Sequence, residues 1–445
     1  MRRSLLWFIV ALLSVSIIVA FSLGGCKEAE EVAAPAEEEV VEEALPEEVE
    51  EAVEIVYTSW RTEDIERVNR MNAVFMEKHP NIIVKFDPIK NTEYDAQIKT
   101  ALEAGVGADL LMMNSYDGGR FYYDSGYIAE LSELIPALAE YDEVALGAFS
   151  TEDGIVYGVP LIAVSHGVYY NKDIFDKYGL EEPETWAEFL DICQVLKDNG
   201  EIPIAQGIKE PWSLYEVVYS GLGANFYGGE ENRKKLVAGE LKMTDEPFVR
   251  AFKAMLELVP YFPDGYEALD YVSMQQLFVS GQAAMFIGGS WEIGVFKDMG
   301  AEFEMGWFPP PVENEGDTLQ YCFETDAGIS MNKDTKHFEE ALEYLTWLAG
   351  PEYAELQMNE LPGFYALAPG EYELTDPLAK EMLDVAEDAV LTIRTTWEKL
   401  SSQEPSGNMM MWDAMFGLYN GDYTPEEAAA YVQENLETWY EPFME

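Results

Sequence analysis

From Glu54 onward short apolar runs alternate with amphipathic stretches, and this rhythm limits the fold more than any other feature of the chain. Glu54-Ile-Val-Tyr-Thr-Ser-Trp60 has the two-residue alternation of a strand. Residues 63–78 read as a helix stopped by His79-Pro80, and Asn81-Ile-Ile-Val-Lys-Phe86 as the next strand. Residues 94–104 follow as a helix closed by Gly105 and Gly107, and 109–113 as a short buried strand. The alternation predicts an α/β fold with a parallel sheet and helical crossovers. Ligands of such sheets bind beyond the carboxyl ends of the strands, so the loops at 59–63 and 114–119 are expected to meet one. A second alternating region opens near residue 165. It holds a strand at 168–170 and a helix at 185–199, with Thr185 as N-cap and Glu188 three residues on. A strand at 202–205 follows, then helices near 213–222, 247–259 and 274–279, and a strand at 283–287. Residues 376–445 read as helical throughout, with Thr424-Pro-Glu-Glu opening the last long helix.

The segment before this body has its own logic. Arg2 and Arg3 precede an apolar stretch, 5–23, broken only by Ser14, Ser16 and Ser22, the pattern of an export signal. About 20 apolar residues also suffice for an uncleaved membrane helix. Leu23-Gly24-Gly25-Cys26 resembles the lipobox of bacterial lipoproteins, which implies removal of 1–25 and lipidation of Cys26. Residues 27–53 carry 12 Glu and no aromatic side chain. Such a run cannot bury enough apolar area to order itself, so 26–53 is expected to be an extended acidic linker.

The chain has 84 acidic against 27 basic residues, a net charge of −57. Binding to nucleic acid rests on Lys and Arg neutralising phosphates, so this balance argues against it. It argues equally against docking of the body on an anionic membrane surface. Three cysteines exclude a disulfide scaffold and a four-cysteine zinc site, and His79, His166 and His337 are too scattered for a histidine metal centre. No cofactor is implied. Cys193 falls on a helical apolar stripe and Cys322 in a strand-like run; a bridge between them is open in an oxidising compartment. No phosphate loop, nucleophile elbow or metal motif supports an enzyme.

Several motifs in order resemble one family. Asp153-Gly-Ile-Val-Tyr-Gly-Val-Pro160, Tyr169-Tyr-Asn-Lys-Asp-Ile-Phe175, Pro183-Glu-Thr-Trp186-Ala-Glu-Phe and Phe278-Val-Ser-Gly-Gln-Ala-Ala-Met-Phe-Ile-Gly-Gly-Ser-Trp291 are similar to those of the bacterial extracellular solute-binding proteins. Phe308-Pro-Pro-Pro311, Gly328-Ile-Ser-Met-Asn332 and Leu361-Pro-Gly363 fit as well. The resemblance runs from about 54 to 440 and implies a periplasmic-binding-protein-like α/β fold, with two lobes, a ligand cleft and three crossings. The crossings would lie near 163–166, 309–322 and 362–366, with one lobe made of 54–163 plus 322–362 and the other of 166–309 plus 365–445. It further implies a monomer that binds a carbohydrate and is read by a membrane permease driven by a cytoplasmic ATPase.

A pyranose offers apolar ring faces and a rim of hydroxyls, so its site needs aromatic plates and carboxylates or amides. Trp60, Trp212, Trp291 and Trp412 stand beside Gly, Pro, Ser or acidic residues at predicted element ends, whereas Trp186 and Trp347 fall on apolar helix stripes. The resemblance gives Trp291, after its glycine pair, the stacking role; Trp212 with Glu210, in Glu-Pro-aromatic, and Trp412 match aromatic positions of the maltose-binding branch. It gives Asp117 the hydroxyl-binding role, with Asn114 and Tyr116 as the alternatives, since this chain carries one extra residue there. Glu63 and Arg61 follow the first strand, and Glu63 could equally cap a helix. His166 is a ligand donor or a packing residue; Glu324 and Asp326 are further candidates, and a salt bridge is the favoured role of Arg394. Two other functions stay open: a polyamine or other cation caged by aromatics and acids, and a secreted glycosidase with paired carboxylates.

Overall fold

The computed structural model describes residues 52–444. The predicted signal segment 1–25, the lipidation site Cys26 and the linker as far as residue 51 lie outside the described residues. The strands are β1 (Val53–Thr58), β2 (Ile82–Phe86), β3 (Leu110–Asn114), β4 (Val159–Asn171), β5 (Ile202–Ile204), β6 (Ala283–Gly289), β7 (Met305–Phe308), β8 (Gln320–Met331), β9 (Tyr365–Ala366) and β10 (Val390–Thr392). They form one ten-stranded sheet in the order β2-β1-β3-β8-β4-β6-β5, with β7 and β9 on β4 and β10 on β8.

The sheet is mixed, which corrects the parallel expectation. Strand–helix–strand units make the parallel pairs β1–β2, β1–β3 and β5–β6. The pairs β3–β8, β4–β8, β4–β6 and β4–β7 are antiparallel. They join segments far apart in sequence, and no single crossover helix dictates their sense. β4 spans 13 residues, every one buried, although only 168–170 reads as strand in the sequence. A strand covered on both faces has no apolar–polar alternation to announce it.

Helix starts follow the sequence closely. Thr185 and Glu188 form a reciprocal capping box at Trp186–Asp198, and Thr424 and Glu427 do the same at Pro425–Leu436. Residues 376–444 are not helical throughout: after the helix Pro377–Asp388, β10 pairs in parallel with Gln320–Cys322 of β8. Val390-Leu-Thr392 is rich in branched side chains and finds an open edge there. At the centre, the Ser290 hydroxyl donates to the Gly363 carbonyl and accepts the Ser165 amide at 3.1 Å, tying three distant segments together. Cys193 and Cys322 are buried and free. Among the described residues no helix is long and apolar enough to cross a membrane.

Residues 52–445 hold 72 acidic against 24 basic side chains, so most carboxylates have no cation of their own. Self-repulsion then lowers stability at low salt. Raising NaCl from about 0.01 M to about 1 M shortens the screening length about tenfold, and the melting temperature should rise by several degrees. A flat or falling curve, read by calorimetry at fixed pH, would contradict this.

Candidate functional site

β1 ends at Thr58 and β3 at Asn114, and the loops beyond their carboxyl ends open on a cleft of about 1890 Å³. That exceeds the roughly 300–1,000 Å³ of pockets for single small molecules, so the space suits an extended ligand. Of the sequence candidates, Trp60, Arg61, Glu63, Asn114, Asp117, Glu210, Trp212, Trp291, Asp326, Arg394 and Trp412 line it. His166, Tyr116 and Glu324 do not.

One end of the cleft is built around Glu292. This carboxylate has no exposed surface, and accepts the Tyr271 hydroxyl at 2.6 Å and the Gln275 amide at 2.8 Å. Burial pushes it from an ordinary 4.5 to about 7, against the nearby Arg61 guanidinium. Trp291 precedes it at the start of the helix Glu292–Asp298 and makes no side-chain capping bond. A Cβ on Gly289 would collide with the Trp291 ring, so the glycine lets the indole lie against the end of β6. Trp212 meets Tyr271 at 4.6 Å between centroids, and its indole N–H points to Glu210 at 3.4 Å. Trp60 sits edge-on to Tyr94 at 5.5 Å. Arg61 pairs with Glu63 at 2.9 Å and Asp64 at 2.6 Å and lies over Phe364, while its Nη2 is buried without a partner. Glu63 makes no helix-capping bond; its partner is Arg61.

Another part of the wall is built around Arg394, which is buried and ion-paired with Glu216 at 2.9 Å and with Glu324 and Asp326 at 2.8 Å each. The salt-bridge reading of Arg394 therefore holds. Its guanidinium lies over Trp397, 3.9 Å from the ring centroid. Trp412 donates its indole N–H to Glu216 at 3.0 Å, and Asn408 reaches the same oxygen at 3.4 Å. Asp117 opens the helix Asp117–Asp124; its Oδ2 is buried without a partner, and burial pushes it from 3.8 to about 7. Tyr116, just before it, holds φ at +57°, a left-handed setting uncommon for a bulky residue.

His166 has no exposed surface, packs edge-on to Trp291 at 5.4 Å and keeps its Nε2 buried without a partner. Burial, with Arg394 nearby, lowers it to about 3, so it is neutral. His166, Cys322 and Glu324 bring ligand-type atoms within 4.8 Å of one another. The β4–β8 register explains this, because Val164 pairs with Glu324 and Ser165 with Phe323, which leaves the His166 ring 3.4 Å from the Cys322 carbonyl. The cation already seated at Glu324 is Arg394, and burial pushes the Cys322 thiol up, away from the thiolate a metal needs.

Sequence reasoning passed over Trp397, Glu216, Glu292, Tyr271, Gln275 and Asn408, all of which line the cleft. A signal existed for Glu292, since it directly follows Trp291. None existed for Glu216, whose helix Leu214–Tyr219 has the rare π spacing.

Residues 43–355 match the family described as bacterial extracellular solute-binding protein, and the chain belongs to that family. It is 26% identical to the maltodextrin-binding protein MdxE of Bacillus subtilis over 304 residues, 65% of this chain and 69% of that protein. It is 30% identical to the multiple sugar-binding protein of Streptococcus mutans over 206 residues, 43% of this chain and 47% of that protein. The solved structure of the solute-binding protein RafE with raffinose has the same fold, at a TM-score of 0.72 and 22% identity, over 87% of this chain and 99% of that one.

Two outcomes follow from the buried charges. Glu292, raised from 4.5 to about 7, and Asp117, raised from 3.8 to about 7, keep protons in the fold that the unfolded chain has lost. Their contribution to stability therefore falls as pH rises from about 4.5 to about 7. Melting temperature should be higher at about pH 5.5 than at about pH 8, and Glu292→Gln should flatten part of that slope; a rising curve would contradict it. Arg394→Met leaves three carboxylates without their cation and should cost about 3–5 kcal/mol in denaturant unfolding, while Lys209→Met, at an exposed pair, should change little.

Proposed function

We propose that this chain is the extracytoplasmic substrate-binding component of an ATP-driven importer, and that it captures a sugar or oligosaccharide and hands it to a membrane permease. The observation that carries the reading is the juxtaposition in one cleft of Trp60, Trp212, Trp291, Trp397 and Trp412 with Asp117, Glu210, Glu216 and Glu292. Aromatic plates suit the faces of pyranose rings, and the carboxylates suit their hydroxyls. The names of the relatives, which include maltodextrin- and sugar-binding proteins, favour the same class.

The cation reading fits less well. Glu216, Glu324 and Asp326 are spent on Arg394, and Glu63 on Arg61. Asp117 and Glu292, raised to about 7, are partly protonated near neutrality and poor anchors for an ammonium group. A glycosidase also fits less well, since family members are binding proteins and, of the cleft carboxylates, Glu216 and Asp326 are held in ion pairs and Glu292 by Tyr271 and Gln275.

On this reading the body consists of 54–163 plus 322–362 and 166–309 plus 365–445, which close on the ligand about crossings near 163–166, 309–322 and 362–366. The Ser290 links to Ser165 and Gly363 would pin two of these crossings together. Cys26 would carry the lipid, 26–53 would hold the body off the membrane, and the chain would act as a monomer without cofactor.

A tryptophan-fluorescence titration against mono- and oligosaccharides, polyamines and amino acids tests the reading. One sugar class should give a saturable change, weakened by about tenfold or more in Trp291→Ala assayed at a temperature where the variant, destabilised by loss of a buried indole, is still folded. Saturation by polyamines alone would move the protein to the cation reading, and release of reducing sugar would make it an enzyme.

A further inference from the structure

Glu216 stands at a junction of three segments. The helix Leu214–Tyr219 has π spacing, a rare form that is frequent at functional sites. From it, one carboxylate reaches groups on two other parts of the chain. Its Oε2 accepts Arg394 Nη1 at 2.9 Å, and its Oε1 accepts Trp412 Nε1 at 3.0 Å and Asn408 Nδ2 at 3.4 Å. Asn408 and Trp412 are four residues apart on the helix Gly407–Asn420 and so share a face. Arg394 in turn lies under Trp397. Once Asn408 gives its amide N–H to Glu216, its Oδ1 remains buried, without a partner, at the cleft wall. A buried acceptor left unpaired costs free energy, so its bond is expected to come from a ligand.

We infer that Glu216 is a positioning residue: it holds Trp412 and Asn408 directly, and Trp397 through Arg394, as a second sugar subsite besides the one at Trp212, Trp291 and Glu292, so that the ligand spans at least two sugar rings. This rests on the sugar reading. Glu216 sets one indole and an amide directly and a second indole through Arg394, whereas the Glu292 end is held by Tyr271 and Gln275 and owes it nothing. Loss of Glu216 should therefore be felt by long ligands and not by a single ring.

The test uses the full-length chain in a detergent without a sugar headgroup, as wild type, Glu216→Ala and Glu216→Gln. Calorimetry measures a mono- and a trisaccharide of the class that wild type binds. Glu216→Ala should weaken the trisaccharide by about tenfold or more and leave the monosaccharide unchanged. Glu216→Gln, which keeps an acceptor for Trp412 and Asn408, should recover most of the loss. Equal weakening of both sugars, or none, would overturn the inference. Indole ¹⁵N–¹H resonances of the ligand-free protein, assigned with Trp397→Phe and Trp412→Phe, give a readout that needs no sugar. Both should move in Glu216→Ala, and unmoved resonances overturn the positioning role. If they move but no saccharide binds wild type, the sugar reading fails, and with it the subsite.

Discussion

The antiparallel ladder between β4 and β8 is the constraint on which the rest of this structure depends. β3 and β10 attach to β8, and β6, β7 and β9 to β4, so both ends of the sheet hang from one pair of strands. Buried on both faces, the ladder cannot use water to satisfy a polar side chain. Yet β8 carries Glu324 and Asp326 into that interior, and the chain meets this with Arg394. Fixing Arg394 fixes Trp397 over it and Glu216 beside it, and so one whole wall of the cleft.

That arrangement also shapes what the cleft can recognise. A chain with three acids for every base would be expected to make its cleft a sink for cations, but Glu216 and Asp326 are already paired with Arg394, and Glu292 is held by Tyr271 and Gln275. The groups left without partners are Asp117 Oδ2, Arg61 Nη2 and Asn408 Oδ1, a set of acceptors and a donor spread along the wall. Such a set suits hydroxyls, which both give and take hydrogen bonds, better than it suits an ammonium group.

How much of this was legible in the sequence depended on how local its cause is. Capping at Thr185 and Thr424, the first three strands and the cleft position of Trp60, Trp212, Trp291 and Trp412 all follow from residues near one another in the chain. Cys193 and Trp186 were likewise readable as core from their helical stripe. The full length of β4 was not readable, because burial on both faces erases the pattern that marks a strand. Trp397 and β10 were hidden in a tail that resembles helix; β10 is set by pairing with β8, dozens of residues earlier, and Trp397 by its contacts with Arg394 and Tyr116. Glu216 carries no signal in its neighbours; its importance comes wholly from Arg394, Asn408 and Trp412, which fold up to it from nearly two hundred residues away.

The most direct test of the central claim is a crystal structure of the protein with the saccharide that best raises its melting temperature. The account predicts pyranose rings stacked on cleft tryptophans at both the Trp291 and the Trp397–Trp412 ends, with hydroxyls at Asp117, Arg61 and Asn408. A saccharide bound elsewhere, or lodged in the cleft with its rings clear of those indoles, would contradict it.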